Sequence, residues 1–178
     1  SGTGSAAMET CFVNLLNPSD RILIIQNGYF SVRMEDMCNR LGANIDVLKF
    51  NWGEPADINV VEDKIKKNSY DIVAVVHAET STGVRNDVKS ISNLIDDKTI
   101  LLVDAVTSLG TIELEVDNWG IDAIFSCSQK GLSCPPGASP VSFSSKSINK
   151  MKKRSKKIPN WYLDMLGIIK YWDGNQRA

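Results

Sequence analysis

The sequence is poor in the residues that build metal centres and disulfide scaffolds. It has one histidine, His77, and four cysteines, Cys11, Cys38, Cys127 and Cys134, with no C-x-x-C pair among them. A zinc site draws on clustered Cys and His, so no metal site is expected. Scattered thiols suit a reducing compartment. Long hydrophobic runs are also missing. Charge or glycine breaks every apolar stretch within about ten residues, against roughly 20 needed to cross a bilayer. Neither sign of charge is in excess, with 20 Lys+Arg against 21 Asp+Glu. That balance offers no general attraction for nucleic acid or another polyanion. The one basic stretch, Ile148 to Lys157, has no interleaved aromatics and reads as a solvated helix face. No signal-peptide pattern, internal repeat or low-complexity segment is visible. The expectation is an intracellular, cytoplasmic protein, with organellar targeting left open because both ends of the chain read as interior to a longer one.

What the chain does carry is alternation. Apolar runs at Ile22–Ile25, Ile45–Phe50, Asp71–Val76, Ile100–Val103, Asp122–Phe125 and Ser139–Phe143 read as strands. Between them, helical spacing predicts helices over Ala6–Leu16, Tyr29–Leu41 and Ile58–Lys67, and around Val88, Ile91 and Ile95. Trp161 to Trp172 is apolar and aromatic at roughly helical spacing, fit to cover the sheet or a subunit contact. Each crossover is long enough to hold a helix between parallel strands. The pattern predicts an α/β fold of three layers, α/β/α, around a mostly parallel central sheet, as one domain over residues 1–178.

Two strands end in chemistry. Ile100-Leu101-Leu102-Val103 runs into Asp104, and Ala123-Ile124-Phe125 runs into Ser126-Cys127-Ser128-Gln129-Lys130. In open α/β sheets ligands bind at the carboxyl ends of the strands. An acid and an amine aimed at one crevice can hold a pyridine-type cofactor, the lysine joining its aldehyde and the acid facing its ring nitrogen. Thr3-Gly4-Ser5 precedes a helix, which suits a phosphate; an ordinary N-cap by Thr3 or Ser5 accounts for the same residues. Phe30 follows Asn27-Gly28 at a strand-to-helix junction, placed either to stack on a flat ring or to cap the core. His77, alone at a strand end, reads as a satisfied structural histidine.

The order of these pieces is more specific than any one of them. The series runs from Gly4-Ser5 through His77-Ala78-Glu79-Thr80-Ser81-Thr82-Gly83 and Val103-Asp104-Ala105 to Ser128-Gln129-Lys130-Gly131 and Pro135-Pro136-Gly137. It resembles the fold type I, class V pyridoxal-phosphate aminotransferases, nearest the alanine–glyoxylate (serine–pyruvate) branch. The resemblance implies pyridoxal 5'-phosphate as cofactor, held by Lys130 as a Schiff base, and transfer of an amino group from alanine or serine to glyoxylate or pyruvate. It makes Lys130 the proton carrier and Asp104 the partner of the ring nitrogen. It assigns Phe30, where the family often has Trp, to ring stacking and Thr80 to the phenolic oxygen. Thr3, Gly4, Ser5 and Gln129 fall on phosphate contacts, with Ser5 where the family often has His.

The resemblance also implies a homodimer, and a chain that is the large domain cut at both ends. The family's substrate-binding arginine lies in a C-terminal small domain. Arg33, Arg40, Arg85, Arg154 and Arg177 do not stand at the matching position, so the isolated chain is expected to be inactive. Ureidoglycine–glyoxylate or aminoethylphosphonate transamination stays open as an alternative. A cysteine desulfurase would need a mobile Cys and a stacking His, whereas Cys134 lies four residues after Lys130 and Phe30 takes the stacking place. Gly2-Thr3-Gly4-Ser5-Ala6-Ala7 resembles the G-x-G-x-x-A of nicotinamide-dependent dehydrogenases, but no strand precedes it.

Overall fold

The apolar runs at Ile22–Ile25, Ile72–Val76, Ile100–Val103 and Ala123–Phe125 are buried on both faces, which is why they are continuous rather than alternating, while those at Ile45–Phe50 and Ser139–Phe143 are only part-buried. The computed structural model describes residues 1–173. In chain order the elements are α1 (Gly4–Leu15), β1 (Arg21–Gln26), α2 (Tyr29–Arg40), β2 (Asn44–Lys49), α3 (Ile58–Lys66) and β3 (Ile72–Val76). A small hairpin of β4 (Ala78–Glu79) and β5 (Val84–Arg85) follows, then α4 (Val88–Ser92), β6 (Ile100–Asp104), β7 (Ala123–Phe125) and β8 (Val141–Phe143). The chain continues through α5 (Ser145–Lys152), a 3-10 turn (Trp161–Leu163) and α6 (Met165–Trp172).

The main sheet has the order β2-β1-β3-β6-β7-β8. Every pairing is parallel except β7 with β8. This is the three-layer, mostly parallel architecture that the alternation predicts. Residues of period two divide the core. Ile22, Ile24, Ala74, Leu102 and Phe125 pack with α1, α2, α5 and Met165 on one face. Leu23, Ile25, Val75, Val103 and Ile124 pack with Val61, Val88, Ile91 and Trp119 on the other. Each fully buried Ile or Phe contributes about 2 kcal/mol, so these two faces outweigh any helix propensity. α1 is buried along nearly its whole length, from Ala7 through Leu15 except Glu9. It lies between the sheet on one side and α2, α5 and the 3-10 turn on the others.

From β1 the chain steps outward to β2 and then returns to β3 on the other side of β1, so the winding direction reverses between β1 and β3. The carboxyl ends of β1, β3, β6 and β7 share the edge beside that point, where ligands of such sheets bind.

Several boundaries differ from the sequence reading. His77 to Gly83 reads as a polar loop, yet its backbone closes the β4–β5 hairpin. Gly83 adopts φ +73° there and donates to the Glu79 carbonyl at 2.9 Å. α4 ends at Ser92, whose hydroxyl turns back onto the Lys89 carbonyl, and Ile95 reaches the core from a turn instead. The aromatic stretch is not one helix. Asp164 caps α6 by accepting from the N–H of Leu166 and Gly167, and so separates it from the 3-10 turn. Asn14 ties both pieces to α1, donating to the Leu163 carbonyl and accepting from the Met165 N–H. Of this stretch Met165 is buried in the core, Leu166 and Ile168 pack part-buried against it, and Trp161 and Trp172 stay exposed.

The basic stretch likewise stops being helical at Lys152. Lys150 pairs with Asp20 at 2.8 Å, and Arg154 donates to the Leu16 carbonyl. No helix among the described residues is long and apolar enough to cross a membrane.

Candidate active site

Asp104 is the last residue of β6 and, two residues beyond Leu102, points to the face covered by α1. It is 2% exposed, with Oδ1 accepting from the Val106 N–H at 2.8 Å. No Lys or Arg comes within 4.0 Å of it among the described residues. Burial pushes its carboxyl up to about 7, and the charge of Glu79 adds to the effect. The Val106 N–H and Arg33 act the other way. A buried acid in that condition lacks a cation.

α1 starts at the same edge. Thr3 occupies its N-cap position with extended backbone, but no side chain caps the first turn. The N-cap alternative is therefore not what occupies Thr3 or Ser5. A β-carbon on Gly4 would lie 3.0 Å from Val106 Cγ2 and 3.5 Å from Cys127 Cβ. Glycine thus lets the helix start sit against the segment after Asp104 and the segment before Lys130. Gly2 is anchored by its N–H to the Gly137 carbonyl and by the Ser139 hydroxyl on its own carbonyl.

Lys130 is exposed on a turn that follows β7. The turn is held from both sides: Cys134 N–H donates to the Ser128 carbonyl, Ser133 N–H to the Lys130 carbonyl, and Ser128 Oγ to the Pro135 carbonyl. A β-carbon on Gly131 would fall 2.2 Å from the Leu109 carbonyl oxygen, so only glycine fits next to the lysine. Among the described residues Lys130 has no acidic partner within 4.0 Å. Asp104 and Lys130 share a neighbour in Cys127, whose thiol burial pushes up; Lys130 pulls it down and Asp104 raises it further. Gln129 keeps a buried carboxamide oxygen without a partner among the described residues.

Phe30 sits in the first turn of α2, part-buried, with the Arg33 guanidinium 4.8 Å from its ring centroid. Arg33 also donates to Ser5 Oγ at 2.8 Å. Thr80, exposed at the hairpin, shares a hydrogen bond with Thr107 across the ends of β3 and β6. Thr3, Gly4, Ser5, Phe30, Thr80, Asp104, Gln129 and Lys130 all therefore lie on the strand-end side of the sheet.

His77 stands apart. It packs edge-on against Trp119 of the opposite core layer, with ring centroids 5.8 Å apart. Its buried Nδ1 has no direct hydrogen-bond partner among the described residues, and the packing against Trp119 is a structural role. Burial holds its pKa below the usual histidine range, and the charge of Arg85 adds to this. Of the arginines, Arg177 lies outside the described residues. The sequence reading weighed Arg33 only as a substrate-binding arginine and gave no site role to Thr107 or to the fully buried Glu79. Glu79 is an acid in a turn-rich strand end, and that is the one signal that could have singled it out.

The donor set fits a phosphorylated pyridine aldehyde. An acid lacking a cation suits a protonated ring nitrogen, an uncapped helix start suits a phosphate, and an unpaired amine suits an aldehyde. A cavity of about 970 Å³ between α1 and residues 161–172 contains none of Phe30, Asp104 or Lys130.

A family model for class-V aminotransferases matches residues 1–157. The chain is 38% identical over 168 residues to a soluble hydrogenase 42 kDa subunit of Anabaena cylindrica, covering 92% of this chain and 43% of that protein. It is 35% identical over 180 residues to a serine–glyoxylate aminotransferase of Arabidopsis thaliana, covering 96% and 45%. Among solved structures, an alanine–glyoxylate aminotransferase from Nostoc sp. superposes with a TM-score of 0.96 at 44% identity, covering 100% of this chain and 48% of that one. The chain thus spans less than half the length of the relatives it matches.

Proposed function

This chain belongs to the class-V aminotransferase family, and from that premise we propose that it is the cofactor-binding large domain of a pyridoxal-phosphate-dependent aminotransferase. The proposed reaction moves the amino group of alanine or serine to glyoxylate or pyruvate, in a homodimeric, cytoplasmic protein of the relatives' length. The observation that carries the reading is Asp104: a buried carboxylate with one oxygen that has no donor among the described residues, on the face shared with the uncapped start of α1. The names of the alanine–glyoxylate and serine–glyoxylate relatives support the substrate class.

Pyridoxal phosphate, when bound, supplies an aldehyde that captures amines and a ring that takes up the electrons of the substrate's broken Cα–H bond. The chain's residues do the rest. Thr3, Gly4 and Ser5, at the open first turn of α1, and Gln129 would receive the phosphate. Phe30 would cover the ring, and the Thr80 hydroxyl would approach the phenolic oxygen. Asp104 would hold a proton on the ring nitrogen, and in doing so would gain the counter-charge its burial demands. Lys130 Nζ would be the amine that meets the aldehyde. Once freed, it would carry the proton from the substrate α-carbon to the cofactor carbon that bore the aldehyde. Its turn, closed by Gly131 against Leu109, keeps the stem in place for that task.

The test uses the intact protein carrying these residues with its flanking segments. Reconstitution with pyridoxal phosphate followed by borohydride should leave a stable adduct on Lys130, mapped by peptide mass. Alanine and serine should then transaminate glyoxylate. Bound cofactor without turnover on either donor would overturn the aminotransferase reading. Full turnover by Lys130→Ala would overturn the role of the lysine.

A further inference from the structure

Glu79 is fully buried, at 0% exposure, and among the described residues no Lys or Arg lies within 4.0 Å of it. A buried carboxylate persists only where hydrogen bonds replace its water. Here they come from two separate segments. Oε1 accepts from the Phe30 N–H at 3.3 Å, from the Ser81 N–H at 3.3 Å and from the Ser81 hydroxyl at 2.8 Å. Oε2 accepts from the Ser31 N–H at 3.3 Å and faces the Ser31 hydroxyl at 3.5 Å. The Ser81 hydroxyl in turn accepts from the Tyr29 N–H at 2.9 Å.

The first turn of α2 contains no acid of its own. Its orphan N–H groups and the positive end of its dipole are met by an acid delivered from the β4–β5 hairpin. Room for that acid comes from Gly28, where a β-carbon would lie 2.2 Å from Glu79 Cγ. The backbone there is extended, so glycine serves for space rather than for an unusual φ.

The two helices at this edge are thus treated oppositely. The start of α2 is closed by Glu79 and Ser81, while the start of α1 carries no side-chain cap. The segments that Glu79 joins carry Phe30 on one side and Thr80 on the other. We propose that Glu79 is a positioning residue, which clamps the turn of Phe30 to the hairpin of Thr80 and so sets the spacing of the aromatic ring and the hydroxyl that face the cofactor ring. This rests on the reading of Phe30 and Thr80 as ring contacts. The fold has a second tie at the same place. Asn86 accepts from Asn27 at 2.9 Å and from the Ala56 N–H at 2.9 Å, and donates to the Val76 carbonyl at 2.8 Å. Loss of the Glu79 clamp therefore frees the two ring-facing segments while the base of the hairpin stays attached.

The experiment compares the intact wild-type protein with Glu79→Gln and Ser81→Ala. Gln keeps the shape but turns an amide N–H toward one of the backbone donors, and Ala at 81 removes the hydroxyl that aligns Oε1. Titrations with pyridoxal phosphate and with unphosphorylated pyridoxal, together with the circular dichroism of the bound cofactor's absorption band, read the ring's environment. The expected result is a loss of affinity of roughly tenfold for Glu79→Gln, equal for the two ligands because the clamp acts on the ring and not on the phosphate, with a smaller loss for Ser81→Ala. Both variants should show a reduced or altered dichroic band.

Folded variants with wild-type affinities and an unchanged band would overturn the proposal. So would a loss confined to the phosphorylated ligand. If Glu79→Gln does not fold, Ser81→Ala decides. A wild-type protein that binds neither ligand would overturn the underlying cofactor reading instead.

Discussion

The Arg33 guanidinium donates to Ser5 Oγ at 2.8 Å and lies 4.8 Å from the Phe30 ring centroid, which joins α2 to the uncapped start of α1 through one side chain. Among the described residues no carboxylate within 4.0 Å neutralises it. Its charge therefore acts where the phosphate is proposed to sit. Arg33→Ala should weaken pyridoxal phosphate roughly tenfold or more, the worth of one charge-assisted hydrogen bond, and pyridoxal much less. Parallel titrations with the two ligands check this. Equal losses would assign Arg33 to the ring instead.

Asp104 makes the cofactor-free protein pH-sensitive. Its folded pKa, near 7 because of burial, lies above the ordinary aspartate value. The folded state then holds a proton that the unfolded chain has released, so stability falls as pH rises through that window and levels off above about 7. Asp104→Asn should flatten this slope and make the cofactor-free protein more stable than wild type at about pH 8, by on the order of 2–4 kcal/mol. Urea midpoints at about pH 5 and about pH 8 measure it. A slope that survives the substitution would place the titrating group elsewhere.

Asp122 is worth more than its surface counterparts. Oδ2 pairs with Lys146 at 2.7 Å and accepts from the Leu101 N–H, while Oδ1 accepts from the Ser144 hydroxyl, all around a 7% exposed side chain. Asp122→Ala leaves Lys146 and the Leu101 N–H without that partner, at a cost of about 3 kcal/mol. The exposed Asp36–Arg40 pair at 3.0 Å should contribute under about 0.5 kcal/mol, so Asp36→Ala is the control. Denaturant unfolding of both variants compares them directly.

The basic stretch after α5 divides by contact rather than by charge. Arg154 donates to the Leu16 and Asn14 carbonyls at the end of α1. Arg154→Ala should cost about 1–2 kcal/mol, and Lys157→Ala close to nothing. Thermal melts of the two variants test it. Equal, negligible effects would restore the reading of a uniformly solvated face.

Much of the architecture was legible because its causes are local. Ile22–Ile25, Ile72–Val76 and Ile100–Val103 are apolar and rich in β-branched residues over the right length, and Val61 and Ile65 recur at helical spacing among lysines. Asp104 stands out because a charge that ends a buried strand has no packing use there, and Lys130 because it lies in the polar turn that follows the next such strand. The hairpin after His77 was not legible, since its strands are two residues each and too short to show a period. The break in the aromatic stretch was missed for a related reason. Asp164 stops the 3-10 turn by capping a new helix, while the apolar spacing runs on across it.

The sequence by itself determined the alternation of strands and helices, the burial of the sheet and the placement of an acid and an amine at strand ends, because each follows from the preferences of neighbouring residues. Tertiary structure decided the rest. The strand order brings β1 beside β3, so Glu79 meets Phe30 across 49 positions of sequence and Arg33 meets Ser5 across 28. Folding also sets His77 against Trp119, on the face opposite Asp104. Such partners depend on which strands become neighbours, and a carboxylate buried without a cation becomes a ligand signal only when its surroundings are known.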